Sequence, residues 1–161
     1  MGVGRLDRSS GVDLWLRAVH AVRSTRPDVS IAWLWTPGEH PDTAFGDAIA
    51  HERWHLGLDA LEIVESDGFD ALAARAASTV VMVTARPPVD GAPGDDGSWR
   101  TAVGFARTAR AKVAGFRSSV VPSVVGGAGG EVELVDYPDV EALAAVAVSA
   151  FAVPDRGVRA T

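Results

Sequence analysis

His51-Glu52-Arg53-Trp54-His55 sets two imidazoles four positions apart with a carboxylate beside the first. On a helix, such a pair shares one face, so both rings can hold a zinc ion while the glutamate activates its bound water. The chemistry would be peptide hydrolysis, and a zinc metallopeptidase is the sharpest reading of any five consecutive residues here. A third ligand is required, and the sequence does not offer one readily. Gly57 falls one residue too early for the extended zinc-peptidase signature, and Glu65 or Asp67 reaches the site only through a tight turn. Without that ligand, His51 and His55 read as surface residues, with Trp54 packed against a sheet. Zinc catalysis is therefore the lesser alternative.

Other chemistry-bearing groups are sparser. Gly2 to Gly4 does not complete a dinucleotide fingerprint, and the chain has no Gly-Lys-Ser/Thr phosphate loop. Ser118 and Ser119 follow an expected strand, where their amides could hold an anion at a helix start. The chain has no cysteine, which excludes disulfides and thiolate nucleophiles and fits a reducing compartment.

Positioning these groups falls to short apolar runs that alternate with segments of helical period, the pattern of βαβ units. Strands are expected over 3–6, 29–35, 60–64, 79–84, 112–116 and 131–135. Helices are expected over 12–23, 43–56, 69–77, 99–110 and 140–151, with Ser10 and Asp13 forming a capping-box-like start to the first and Asp139 capping the last. Thr79 to Thr84 is the clearest buried strand. The stretch 86–98 is rich in proline, glycine and aspartate and reads as a loop. Six strands with about as many helices predict an α/β, doubly wound, Rossmann-like and mainly parallel sheet. Residues 1–155 would form a single domain and 156–161 a frayed tail. Ligands of such sheets bind beyond the carboxyl ends of the strands, at the switch in strand order. That rule draws 5–10, 35–38, 65–68, 86–99 and 117–121 around one crevice.

Bulk properties narrow the function classes. A chain of 161 residues with 47% apolar and 22% charged residues suits one folded domain. A net charge of −6 with no basic patch argues against nucleic acid as a partner. No apolar run approaches the roughly 20 residues of a membrane helix, and no basic start leads into an apolar stretch, so a cytoplasmic protein is expected.

Several blocks, in order, resemble one family. They are Gly4-Arg5-Leu6 with Ser10-Gly11-Val12-Asp13-Leu14, then Leu56-Gly57-Leu58 with Leu61-Glu62-Ile63, an alanine-rich stretch over 73–78 ahead of Val80, and Pro122 with Val124-Val125-Gly126. Together they are similar to the C-terminal, donor-binding domain of retaining glycosyltransferases of the GT-B fold, the family of sucrose synthases and bacterial mannosyltransferases. The resemblance runs from Val3 to about Asp155. It implies a domain that binds a nucleotide-diphosphate sugar, with glycosyl transfer only when an acceptor domain is supplied elsewhere. The implied partners are the nucleotide sugar and either a separate acceptor-domain chain or a second copy. No metal or other cofactor is required in that family.

Residue by residue, the resemblance gives Arg5 the donor diphosphate and puts Ser10 where the family has a lysine. Backbone amides at Ser98 and Trp99 would face the sugar phosphate, Glu65 and the loop after Val64 would cover the base, and Ser118 would lie at the same crevice. The family's two glutamates fall at Gly97 and Phe105, so the acids that touch sugar and ribose are replaced. A slipped register offers Asp96 as the first acid but leaves Gly104 at the second. An inactive domain that binds or scaffolds another protein is therefore the second reading, ahead of the zinc peptidase.

Overall fold

The computed structural model describes residues 1–5, 7–35, 43–65, 80–87, 96–109, 111–117 and 132–151. Among them the order is β1 (Gly2–Gly4), a 3-10 turn (Arg8–Ser10), α1 (Val12–Thr25), β2 (Ala32–Trp35), α2 (Thr43–His55) and β3 (Glu62–Glu65). Then follow β4 (Val80–Val83), α3 (Asp96–Ala109), β5 (Lys112–Phe116), β6 (Val132–Val135) and α4 (Val140–Ala150). The strands form one sheet, ordered β3-β2-β1-β4-β5-β6, with every neighbouring pair parallel. The order reverses between β1 and β4, which is the topology of a Rossmann-like α/β fold. The expected helix over 69–77, the glycine-rich run 123–130 and the tail lie outside the described residues.

A parallel sheet needs cover on both faces, and β4 shows how this one gets it. All four of its residues are buried. Val80 and Met82 join a core built with α1, α2 and α4, including Leu16, Ile49 and Leu143. Val81 and Val83 point the other way, into a second core under α3 with Trp99, Ala102 and Phe105. The period of two along the strand thus divides one apolar run between two helix layers.

Tryptophan against glycine is the packing device on both faces. Trp15 and Trp33 are fully buried and meet edge to face, ring centroids 5.0 Å apart. A Cβ on Gly2 would collide with both indoles, so only glycine lets them lie against β1. On the opposite face a Cβ on Gly115 would stand 2.6 Å from the Trp99 ring. α1 keeps Val12, Trp15, Leu16, Val19 and Val22 inward at helical spacing, and the chain leaves the helix just before Pro27.

The helix starts differ from expectation at one end and match it at the other. Ser10 does not cap α1. It belongs to the 3-10 turn, and Gly11 occupies the N-cap in a left-handed conformation with no side-chain cap bond. At α4 the Asp139 carboxylate accepts from the Ala142 amide at 2.9 Å, as its type and position require. α4 then packs back on α1, where Arg26 stands over the Phe151 ring at 5.8 Å.

β1 begins with a buried amine. The Met1 nitrogen donates to the Val80 carbonyl at 2.6 Å, and desolvation pushes its pKa from 8.0 down to about 5. The folded state resists protonation of this amine, so between those two values the unfolded chain binds more protons. Stability should therefore rise with pH across about 5 to 8 and fall away as pH drops through that window, by on the order of 2 kcal/mol for a half-buried residue. Urea unfolding of the chain with a free Met1 amine measures the slope. A profile that is unchanged when residues are appended ahead of Met1 would show that the amine does not carry it.

Candidate functional site

The reversal between β1 and β4 brings two loops together at the carboxyl ends of the strands. The first, after β1, is wired internally. Asp7 accepts from the Ser9 amide at 3.0 Å, the Ser10 amide at 3.2 Å and the Ser9 hydroxyl at 2.6 Å, which folds the 3-10 turn. The second loop is stitched to the first. The Thr84 hydroxyl donates to the Ser10 carbonyl at 3.1 Å, and the Arg86 amide donates to the Ser9 carbonyl at 2.8 Å. Gly11 sits at the seam, where a Cβ would run into the Thr84 carbonyl oxygen.

Beside this seam a cleft of about 410 Å³ opens between α1 and α2. Phe45, Ala48 and Ile49 line its α2 wall, and Arg8, Asp13, Arg17, Glu52 and Arg86 supply its polar groups. Asp13 and Arg17 are one turn apart on α1 and so face the same way. Arg86 pairs with Asp13 at 2.5 Å and donates to the Tyr137 hydroxyl at 3.3 Å. Arg17 pairs with Glu52 at 3.3 Å. Arg8 is exposed and has no ion-pair partner among the described residues. Three guanidinium groups therefore meet two carboxylates, leaving one cation in excess at the mouth. α1 also starts here, and its first-turn amides have no side-chain cap to occupy them.

The expected site residues separate on inspection. Arg5 is 57% exposed, but its Nε is held by Asp7 at 2.8 Å, which turns it back on its own loop. Ser10 is fully buried, with its hydroxyl donating to the Arg5 carbonyl or to that of Asp7 at 2.8 Å. That hydroxyl stabilises the turn rather than facing the cleft. Ser98 and Trp99 are both buried in the first turn of α3, and Ser98 lies against Gly4. Arg5, Ser10 and Ser98 are thus gathered around the end of β1. Glu65 ends β3, on the sheet's outer edge and separated from β1 by β2. Ser118 lies outside the described residues.

Arg8, Arg17 and Arg86 were not singled out by type or spacing. A usable signal existed: Arg8 lies in the loop after the first strand and Arg86 just after the buried fourth, the two strands that flank the switch. Phe105, at the position of the family's second acid, is fully buried under the sheet, while Gly97 is exposed. Phe105 faces the core because it continues the apolar stripe of Trp99 and Ala102 along α3.

The His-Glu-x-x-His segment is helical, with the His51 and His55 rings stacked at a centroid distance of 6.1 Å. Glu52, however, faces α1 and accepts from Arg17, so it does not sit over the histidine pair. Among the described residues no group of three His, Cys, Asp or Glu side chains gathers as a metal site. Trp54 does not pack on the sheet: it is 64% exposed. The reason is helical geometry, since Trp54 follows the buried Ile49 by five positions, about 140° round the helix. Among the described residues no helix is long and apolar enough to cross a membrane. No family model matches the sequence, and no curated protein matches it.

Proposed function

We propose that this chain is a donor-binding domain of the GT-B glycosyltransferase type, which holds a nucleotide-diphosphate sugar at the switch between β1 and β4. The observation that carries this reading is the convergence of Arg8 and Arg86 with the uncapped start of α1 at the rim of one cleft. Fixed cations and helix-start amides are what a diphosphate needs, above all as it gains charge on leaving a sugar. Arg8 and Arg86, rather than Arg5, would take the diphosphate, with Asp13 releasing Arg86 as the ligand arrives. The apolar wall of Phe45 and Ile49 would cover the base or ribose. Transfer with retention would need an acceptor domain from another chain, and no residue here is assigned to the chemical step.

One observation favours a second reading on the same fold, an inactive domain that binds a protein partner. Phe105 occupies the core where the family's ribose-binding acid would stand.

Nucleotide-sugar panels decide between them. A ligand at 100 times its dissociation constant stabilises the native state by about 2.7 kcal/mol, a readable rise in melting temperature. UDP, GDP or ADP sugars at millimolar concentration should give that rise. Arg86→Ala should weaken binding by roughly 10-fold or more, the loss of one charge-assisted contact, and Arg5→Ala should change it far less. A flat panel across all donors overturns the proposal, and unchanged affinity in Arg86→Ala removes that residue from the site.

A further inference from the structure

The outward face of α2 carries a feature that the cleft does not use. His51 and His55 are both exposed, their rings tilted only 26° from one another. Trp54 extends the same surface, its ring 6.0 Å from His51 and 6.2 Å from His55. It is also the exposed large hydrophobic side chain of the described structure. One and two turns before His51 the face continues through Asp47 and Ala44, both exposed. Ala44 leaves room for a second helix to approach closely.

We propose that His51 and His55 form half of a zinc site, completed by the same two residues of a second copy of this chain. Imidazole is a preferred zinc ligand, and a closed zinc site takes four ligands at about 2.0–2.1 Å in tetrahedral array. One chain supplies two, since no third metal-binding side chain joins them among the described residues. A two-fold axis through the ion presents the same patch from both copies and so brings the count to four. The same contact would remove the apolar surface of Trp54, 64% exposed in a lone chain, from water. It also sets a divalent cation between two chains that each carry a net charge of −6, offsetting their mutual repulsion at the point of contact. Glu52 is paired with Arg17 of α1 and so is not offered to the ion, which makes the bridge structural and not hydrolytic.

Sedimentation velocity of the whole chain tests this, first in EDTA and then with about half an equivalent of Zn²⁺ per chain, the ratio a shared four-ligand site requires. The expected result is a monomer in chelator and a roughly twofold rise in mass with zinc, reversed by EDTA. His51→Ala and His55→Ala should each abolish the rise while leaving the far-UV circular dichroism unchanged, because both side chains are exposed. Failure to bind zinc, binding of one ion per chain without a change in mass, or a dimer that survives both substitutions would overturn the proposal. None of these outcomes depends on nucleotide binding, so the two proposals stand or fall separately.

Discussion

Gly11→Ala should destabilise the domain by about 2–4 kcal/mol and, on the function proposed above, abolish nucleotide-sugar binding with it. Gly11 stands at φ 65° and ψ 34°, a left-handed conformation that costs any residue with a Cβ about 1–2 kcal/mol. The larger effect is a collision. The new methyl would be forced into the Thr84 carbonyl oxygen, which is backbone and cannot swing aside. Relief requires the loops after β1 and β4 to part, which breaks the Thr84–Ser10 and Arg86–Ser9 bonds and moves Arg86 off its position at the cleft. Gly57 makes a matched control. It too has φ 65°, but nothing lies within 4 Å of its added Cβ, so Gly57→Ala should show the conformational cost alone. Equal losses for the two variants, measured by urea unfolding, would show that the seam between the loops is not closed.

Trp15→Ala should cost about 3–5 kcal/mol, the range for emptying a large buried aromatic site. The indole is fully buried between Trp33 and the bare backbone of Gly2, and neither neighbour can move into the space. Gly2 has no side chain, and Trp33 is held in β2 between β1 and β3. For a domain of this size the melting temperature should fall by roughly 6–20 °C. Trp15→Phe should recover most of the loss. It keeps much of the buried volume and removes the Nε1–H, which is buried with no hydrogen-bond partner. A loss below about 1 kcal/mol in the alanine variant would mean that α1 is not anchored on β1 and β2 through this residue. The site feels the same change, because Asp13 and Arg17 ride on α1 and reach the cleft only if that helix is held in place.

Taken alone, the order of residues determined the α/β class and most of the described elements, though the helix expected from Trp99 starts at Asp96. Val80 to Val83 is apolar and β-branched enough to be a buried strand in any context, Val12 to Val22 repeats at helical spacing, and Asp139 is a helix cap by type and position. These features depend on neighbours a few positions away, so periodicity and capping chemistry reveal them. Alternation of such elements is enough to read a parallel, Rossmann-like α/β sheet. Which side chains share a site was settled only by tertiary structure. Arg86 meets Asp13 across 73 positions, and Arg17 meets Glu52 across 35, because the strand order reverses between β1 and β4 and α2 lies beside α1. Nothing local distinguishes Arg5, turned back onto Asp7, from Arg8, which keeps its charge at the cleft. The same holds for Trp54 and Trp15, both tryptophans on helices, one exposed and one sealed. Which face of a helix turns inward is decided by the whole set of apolar contacts the chain can close at once, and those contacts exist only when the sheet is assembled.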